Sequence, residues 1–140
     1  MSGPRRLRVL LDANVLVAAY AARGACAELL RHCLERHDLV STPGILGELE
    51  RGLRDKVGLT AAETAERVDL VRKRSRVEAP EGALPEFAPD PGDRHVLAAI
   101  RHFRPDAFVT GDKALLKLAA FEGVPILSPR GFWEGETGLL

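Results

Sequence analysis

The stretch LRVLLD, residues 7–12, is an apolar run that lacks the regular polar alternation of a half-buried strand and ends on a carboxylate. A strand of a parallel sheet is covered on both faces, so its sequence reads as a nearly continuous apolar run. Residues 7–12 therefore predict a buried strand of a parallel sheet. The acid at its end, Asp12, is then expected to lie at the edge of that sheet.

Three further segments have strand character, and segments with helical spacing separate them. The strands are predicted at DLVST (38–42), AFVTG (107–111) and VPILS (124–128). This alternation is typical of the α/β class and predicts a three-layer α/β/α sandwich with a mostly parallel central sheet. In such sheets, ligands bind beyond the carboxyl ends of the strands.

Capping residues and glycines mark where the helices begin and end. Thr42 followed by Pro43 is typical of an N-cap and first turn, and TAAE at 60–63 is a capping box whose helix runs to about residue 74. The proline-rich residues 77–90 are predicted to form an irregular connection with a short strand at its start. The other helices are predicted at 14–22, 25–36, 91–103 and 112–123, the last closed by Gly123, with a short helix after Pro129.

Length and charge limit the classes of protein to be considered. A chain of 140 residues is expected to form a single domain over residues 1–140. The chain has 20 basic and 20 acidic residues, so a nucleic-acid partner must be held by local patches of charge. Asp12 and Asn14 interrupt the apolar run near the start, which argues against a signal peptide. No apolar stretch is long enough to cross a bilayer, so we expect a cytoplasmic protein with no membrane partner.

Four acidic residues stand at strand ends or on the apolar faces of helices. Asp12 ends the first strand, and Asp112 follows the strand at 107–111. Glu48 and Asp93 align with apolar residues at helical spacing, Asp93 within DPGDRHVLAAI (90–100). Glu50 points away from the apolar face of its helix and is read as a solvated charge. An acid on the inward side of a helix requires an explanation.

Each of these acids also has a purely structural explanation. Asp12 and Asp112 are good N-caps for the helices that follow them, and Glu48 at a helix boundary could extend to water. Asp90, before a proline, is the natural cap of the helix at 91–103. Asp93 is then not needed as a cap, and the helix dipole explains an acid in the first turn but not its alignment with the buried face.

The four acids together indicate a metal site at the sheet edge. Crowded carboxylates repel one another and raise one another's pKa, so a fold that gathers them requires a cation. Hard divalent ions take oxygen ligands, and Mg²⁺ keeps several waters that leave room for a substrate phosphate. The sequence therefore predicts a Mg²⁺ or Mn²⁺ site. Its ligands are predicted to be Asp12, Glu48, Asp93 and Asp112.

Taken in order, these segments resemble the PIN domain family of metal-dependent ribonucleases. LLDANVLVAAY is similar to the family's opening strand, GILGELERGL to its helix with an inward Glu, DPGDRHVLAAI to its acidic helix start, and FVTGDKALLKL to its strand-to-helix turn. The ending GVPILSPRGFWE resembles the branch of VapC-like toxins from toxin–antitoxin systems. No single motif is specific. The likeness rests on their order and spacing from about residue 7 to residue 134.

The resemblance implies a metal-dependent endoribonuclease that hydrolyses RNA phosphodiester bonds, with a small antitoxin protein and a homodimer as expected partners. It assigns the catalytic metal site to Asp12, Glu48, Asp93 and Asp112. Asn14 and Thr110 would be supporting polar groups. Two positions depart from the family, since Ala13 stands in place of Ser or Thr and Gly92 in place of a further Asp, for which Asp90 is the substitute.

An RNA substrate is expected to be held around the acidic site by phosphate contacts from cations. The candidate contacts are Lys113, the residues Arg5, Arg6, Arg8, Arg51, Arg54 and Lys56, and the run RKRSR at 72–76. For that run, a helix C-terminus carrying favourable positive charge is an equal explanation. Aromatic residues are few, so base stacking has little support. His95 and His102 share the helix face opposite Val96 and are predicted to be solvated.

Three alternatives remain open at this point. A phosphohydrolase with Asp12 as covalent nucleophile would be expected to carry a second Asp two residues later, where this chain has Asn14. A receiver-like phosphoacceptor domain would be expected to carry adjacent acids near the first strand, and they are not evident. A catalytically silent PIN-like module that binds other proteins is the third alternative, and the intact acids argue against it.

Overall fold

A six-stranded sheet forms the centre of the computed structural model, which describes residues 5–139. Its strands are β1 (Arg8–Leu11), β2 (Asp38–Ser41), β3 (Ser75–Val77), β4 (Ala107–Val109), β5 (Ala120–Phe121) and β6 (Val124–Leu127). Their order across the sheet is β3-β2-β1-β4-β6-β5. All neighbouring strands are parallel except β5 and β6. The predicted, mostly parallel sheet is confirmed.

Helices cover both faces of this sheet. Val9, Leu10 and Leu11 are consecutive in β1 and at most 2% exposed, which requires cover on both sides because alternate side chains point to opposite faces. The α-helices of the described chain are α1 (Ala13–Ala21), α2 (Ala25–Arg36), α3 (Pro43–Gly52), α4 (Ala61–Arg74), α5 (Arg94–Phe103), α6 (Lys113–Leu116) and α7 (Pro129–Leu139). The predicted α/β sandwich is therefore confirmed.

Within residues 5–139 no single helix has the length and apolar character to span a membrane, although the bent pair of α1 and α2, at 111°, passes that test together.

The capping signals in the sequence set the helix boundaries. Thr42 accepts a hydrogen bond from the backbone N–H of Ile45 at 3.0 Å and begins α3. Thr60 and Glu63 form the complete capping box that begins α4. Asp90 caps a single 3-10 turn, Pro91–Asp93, that leads into α5. Because each cap satisfies amides that the helix itself leaves free, these boundaries depend on short-range chemistry alone.

The helix predicted at 112–123 is wrong beyond α6. After Leu116 the chain turns and forms β5, which pairs with β6 through a two-residue turn at Glu122 and Gly123. Both turn residues have positive φ, 48° and 84°, as the tight turn of a β-hairpin requires. Gly123 is therefore a hairpin residue rather than the end of a helix.

The sheet has a topological switch point between β1 and β4. From β1 the chain adds β2 and β3 on one side of the sheet, then crosses back to add β4 and β6 on the other. The connections on either side of β1 and β4 therefore diverge and open a crevice beyond their carboxyl ends, where ligands bind in open α/β sheets. Asp12 follows β1, and Thr110 and Asp112 follow β4, so these residues lie at that crevice.

Candidate active site

The four acids singled out in the sequence line one cleft of about 420 Å³ at the switch point. Asp12 precedes α1, Asp112 precedes α6, Glu48 lies within α3, and Asp93 ends the 3-10 turn before α5. Four separate elements thus bring four carboxylates to one place. We call this space, with Asp12, Glu48, Asp93 and Asp112 in its walls, the acidic cleft.

Asp12 is held by hydrogen bonds on both carboxylate oxygens and is only 5% exposed. Its Oδ1 accepts from the backbone N–H of Ala13 at 2.8 Å. Its Oδ2 accepts from the Thr110 hydroxyl at 2.8 Å and from Asn14 Nδ2 at 3.3 Å. Burial raises the pKa of Asp12, as does the charge of Glu48, while the hydrogen bonds from Thr110 and Ala13 oppose that rise.

Thr110 and Asn14 connect the first acid to the last. The Thr110 hydroxyl oxygen donates to Asp12 and accepts from the backbone N–H of Asp112 at 3.0 Å. Asn14 Oδ1 accepts from the N–H of Gly111 at 3.0 Å. The ends of β1 and β4 are thereby locked together. Asp12 and Asp112 each cap a helix and also line the cleft. The role of a helix cap and a place in the site are therefore compatible for both residues.

Asp93 carries an orphaned carboxylate oxygen. Its Oδ2 is buried and has no hydrogen-bond partner among the described residues, and its side chain makes no cap contact to α5. Burial raises the pKa of Asp93, and the charges of Asp112, Asp90 and Glu48 add to that rise, while His95 opposes it. A buried carboxylate oxygen without a partner is costly, and a divalent cation would supply the missing one. The donor set therefore fits an oxygen-preferring ion such as Mg²⁺ or Mn²⁺.

His95 belongs to the site, which the sequence interpretation missed. Its Nε2 pairs with Oε1 of Glu48, and the ring lines the acidic cleft. The prediction of a solvated side chain placed His95 on the helix face opposite Val96. His95 lies in the first turn of α5, and α3 packs near enough there for Glu48 to meet it, which spacing within α5 alone does not reveal. His102, also predicted to be solvated, is partly buried and hydrogen-bonded to Glu78 Oε1 at 2.8 Å.

The rim of the acidic cleft carries both positively and negatively charged side chains. Arg51, Asp55 and Lys56 line it, whereas Arg54 and Lys113 are exposed outside its lining. Beyond α3 the chain continues as a π-helical turn, Leu53–Val57, which contributes Asp55 and Lys56. Asp55 was not identified from the sequence, because an acid in a wide helical turn shows no spacing that distinguishes it from a surface charge.

One glycine sets the depth of the cleft. A Cβ at Gly52 would lie 2.6 Å from Val17 Cγ2 of α1, so α3 approaches α1 closely only because this residue has no side chain. Both residues line the cleft. The close approach is what brings Glu48, on the same helix, toward Asp12.

A second titratable cluster lies away from the acidic cleft. Glu136 of α7 accepts hydrogen bonds on Oε2 from His32 at 2.6 Å and His37 at 3.0 Å. The three side chains have the spacing of a metal site, with ligand atoms within 4.8 Å of one another. However, His37 Nδ1 accepts the backbone N–H of Leu7 at 3.1 Å. The ring proton is therefore on Nε2, which leaves His37 no lone pair for an ion.

This His32–His37–Glu136 cluster is expected to fasten α7 to the core. Glu136→Ala leaves the buried N–H of His37 without an acceptor, so we expect the free energy of unfolding at pH 7 to fall by about 1–3 kcal/mol. Burial tends to raise the pKa of Glu136, but the hydrogen bonds from His37 and His32 lower it overall. The stabilisation is thus present above the ordinary Glu pKa and is lost as pH falls through the lowered value.

Urea unfolding between pH 3 and pH 7 measures this effect. Glu134→Ala is the matched control, because Glu134 is 66% exposed and pairs with the exposed Arg130, and we expect it to change stability by less than about 1 kcal/mol. If Glu136→Ala and Glu134→Ala lower the free energy of unfolding equally, the cluster stabilises the fold no more than an exposed ion pair does.

The sequence of this chain is similar to a known protein family. Residues 8–114 match the family model described as PIN domain. No curated protein matches the chain. The matched range contains all four acids of the cleft, together with His95, Asn14 and Thr110. It ends before β6 and α7, which carry the ending GVPILSPRGFWE.

Proposed function

Since this chain belongs to the PIN domain family, whose members are typically metal-dependent nucleases, we propose that it is a metal-dependent endoribonuclease that hydrolyses RNA phosphodiester bonds. The observation that carries the proposal is the convergence of Asp12, Glu48, Asp93 and Asp112 on one cleft, with a buried oxygen of Asp93 left without a partner among residues 5–139. Four carboxylates gathered at the switch point repel one another, and a divalent cation there would offset that repulsion.

The proposed ligands of the ion are the four carboxylates. When bound, Mg²⁺ or Mn²⁺ would supply Lewis-acid activation of the scissile phosphate and of the attacking water. The chain's own groups hold the ligands in place: Thr110 and Ala13 fix the orientation of Asp12, and His95 holds Glu48. Outer partners of this kind determine how well a metal ligand is oriented.

Arg51 and Lys56 are the proposed contacts to RNA phosphates at the acidic cleft, because both line it. The acids themselves repel a bare phosphodiester, so positive charge at the rim is needed to bring the backbone close. Arg54 and Lys113, exposed outside the lining, are proposed as contacts to the RNA strand further along.

The covalent phosphohydrolase alternative has no support at the site. Both oxygens of Asp12 accept hydrogen bonds, three in all among the described residues, and an acceptor so engaged is a poor nucleophile. Asn14 stands where a second acid would be needed, and it binds the backbone of Gly111 instead.

A toxin role in a toxin–antitoxin pair is the finer part of the proposal. It rests on the ending at residues 123–134, which resembles that branch. It implies a small antitoxin protein as partner, with a homodimer as the expected form and the cytoplasm as the expected location. Co-expression with the product of a neighbouring small gene, followed by co-purification and relief of growth arrest, tests this part separately from the chemistry.

The chemistry is tested by cleavage of a fluorescent single-stranded RNA mixture in Mg²⁺, Mn²⁺ or EDTA. We expect cleavage with either ion and none in EDTA. Glu48→Gln should lower the rate at least about a hundredfold, because it removes one ligand charge. Glu50→Gln is the matched control, since Glu50 is exposed on the same helix and its loss should leave the rate unchanged.

Cleavage that continues in EDTA would contradict a metal-dependent site. Folded protein that cleaves no RNA with either ion would overturn the ribonuclease proposal and favour a silent protein-binding module. Equal losses in Glu48→Gln and Glu50→Gln would mean that the cleft is not where the reaction takes place.

A further inference from the structure

An apolar pocket of about 170 Å³ adjoins the acidic cleft. Its walls include Pro43, Ala79, Pro80, Leu84 and Ala98, and within residues 5–139 no acidic or basic side chain contributes to them apart from His95. We call this space the apolar pocket. Its lining suits a flat, largely apolar group and, apart from His95, offers no charged side chain to hold a phosphate.

His95 is the wall between the two spaces, because it lines both. Its Nε2 faces the cleft and pairs with Glu48. Its Nδ1 lies on the other side, where a Cβ at Gly44, a pocket residue, would stand only 3.1 Å away. Nδ1 is buried and has no hydrogen-bond partner in the part of the chain that the structure describes.

One apolar side chain in the lining of the pocket is also exposed to solvent. Leu84 is 54% exposed although it belongs to the lining. A single exposed leucine requires no explanation by itself. Here it adds apolar surface to a concave site that adjoins the acidic cleft, where the proposed cation would attract an anionic group.

We propose that the apolar pocket receives the nucleobase of the nucleotide whose phosphate lies in the acidic cleft. This inference rests on the proposed function and names how that site would hold its RNA. In a nucleotide, one ribose ring separates the base from the phosphate. Here the two spaces adjoin at one side chain, His95, which lines both, so the base and the phosphate of one nucleotide would occupy neighbouring spaces.

The proposal assigns His95 two contacts. Its Nε2 orients Glu48, and its other side, which lines the apolar pocket, forms part of the wall that the base contacts. The scarcity of aromatic residues in this chain is no obstacle, because prolines and aliphatic side chains supply the remaining walls.

The experiment compares adenosine and cytidine 5′-monophosphate with ribose 5-phosphate, each titrated into the full chain in Mg²⁺ and followed by methyl NMR. We expect both nucleotides to bind about tenfold more tightly than the sugar phosphate, the size of effect that contact with one base gives. Their binding should shift the methyl signals of Ala98 and Leu84. Leu84→Ser should reduce the preference for nucleotides to less than about threefold.

Leu70→Ser is the matched control, because Leu70 lies on α4, outside the pocket, and is 42% exposed. It should keep the full preference. Both substitutions are at exposed positions, and thermal unfolding of each variant checks that the fold is intact. Equal affinities for nucleotide and sugar phosphate would overturn the inference, as would a preference that Leu84→Ser leaves unchanged.

The RNA cleavage assay separates failure of this inference from failure of the proposed function. A protein that cleaves RNA in Mg²⁺ but shows no preference for the base keeps the function and loses the pocket assignment. A protein that prefers nucleotides through Leu84 but cleaves no RNA keeps the pocket assignment and loses the ribonuclease.

Discussion

Asp12→Asn is expected to lower metal-dependent RNA cleavage by about three orders of magnitude, because several kcal/mol of charge stabilisation in the transition state depend on an ion held by this carboxylate. Asp12 is the most buried of the four acids and the one whose two oxygens are both fixed by hydrogen bonds. Its position is therefore the least able to adjust when its charge is lost.

The same substitution should leave the fold nearly unchanged. Charge alone predicts that the Asp12→Asn variant is the more stable protein without metal, since the substitution relieves repulsion from Glu48. The hydrogen bonds from Thr110 and Asn14 to Oδ2 oppose this, because an amide nitrogen in that place would face two donors. Asparagine still caps α1 as well as aspartate does. We expect the free energy of unfolding in EDTA to change by no more than about 1 kcal/mol.

Initial rates of RNA cleavage and urea unfolding in EDTA measure the two effects. Asp69→Asn is the matched control, because Asp69 is 45% exposed on α4 and pairs with Lys73 there. A variant at position 12 that fails to fold would show that Asp12 is above all a structural cap. A folded variant that cleaves at the wild-type rate would remove Asp12 from the metal site.

Asp93→Asn should abolish cleavage while raising the stability of the metal-free protein. Asp93 makes no side-chain cap contact, and one of its oxygens is buried without a partner among the described residues, so its replacement costs little hydrogen bonding within the chain. Its pKa is raised, chiefly by burial and next by the charge of Asp112. The folded state therefore binds a proton more readily than the unfolded state, and the charged form opposes folding.

The sign of the pH dependence follows from that raised pKa. In EDTA the wild-type protein should gain stability as pH falls through the raised pKa of Asp93 toward the ordinary pKa of an Asp, and Asp93→Asn should lack that part of the gain. At pH 7 we expect the variant's Tm to lie about 2–4 °C above that of the wild type. Adding Mg²⁺ should raise the Tm of the wild type more than that of the variant, because a ligand stabilises only the form that binds it.

Differential scanning calorimetry at pH 5 and pH 7, with EDTA or Mg²⁺, checks these expectations. Asp69→Asn again serves as control and should give no rise in Tm, since the hydrogen bond with Lys73 lowers the pKa of Asp69. A Tm for Asp93→Asn below that of the wild type in EDTA would mean that this carboxylate stabilises the fold, for example through the dipole of α5.

Most of the fold could be predicted because its signals are local. The apolar run of β1, the cap at Thr42 and the capping box at Thr60 each depend on residues within one or two turns of one another. The strand at β5 could not be predicted in that way. The same residues have acceptable helical character, and only pairing with β6 makes the extended form the better one.

In the candidate site, too, local signals identified some residues and only tertiary contacts revealed others. Strand ends and helical spacing were sufficient to select Asp12, Glu48, Asp93 and Asp112, because four acids at such places together, unlike any one of them alone, indicate a shared site. His95 and Asp55 could not be selected. Their own elements give no sign of what they face, and His95 acquires its role only when α3 brings Glu48 beside it.

By itself, the sequence determined the alternation of strands and helices, the caps, and which carboxylates stand where a core residue would be expected. Those features follow from short-range hydrogen bonding and from the periodicity of apolar residues. The tertiary structure alone decided that β4 lies beside β1, and this opens the crevice at their ends. It also decided that Gly52 lets α3 approach α1 and that one imidazole separates an acidic cleft from an apolar pocket. These are contacts between residues far apart in the chain, and the free energy of packing that selects them is a property of the whole core rather than of any one segment.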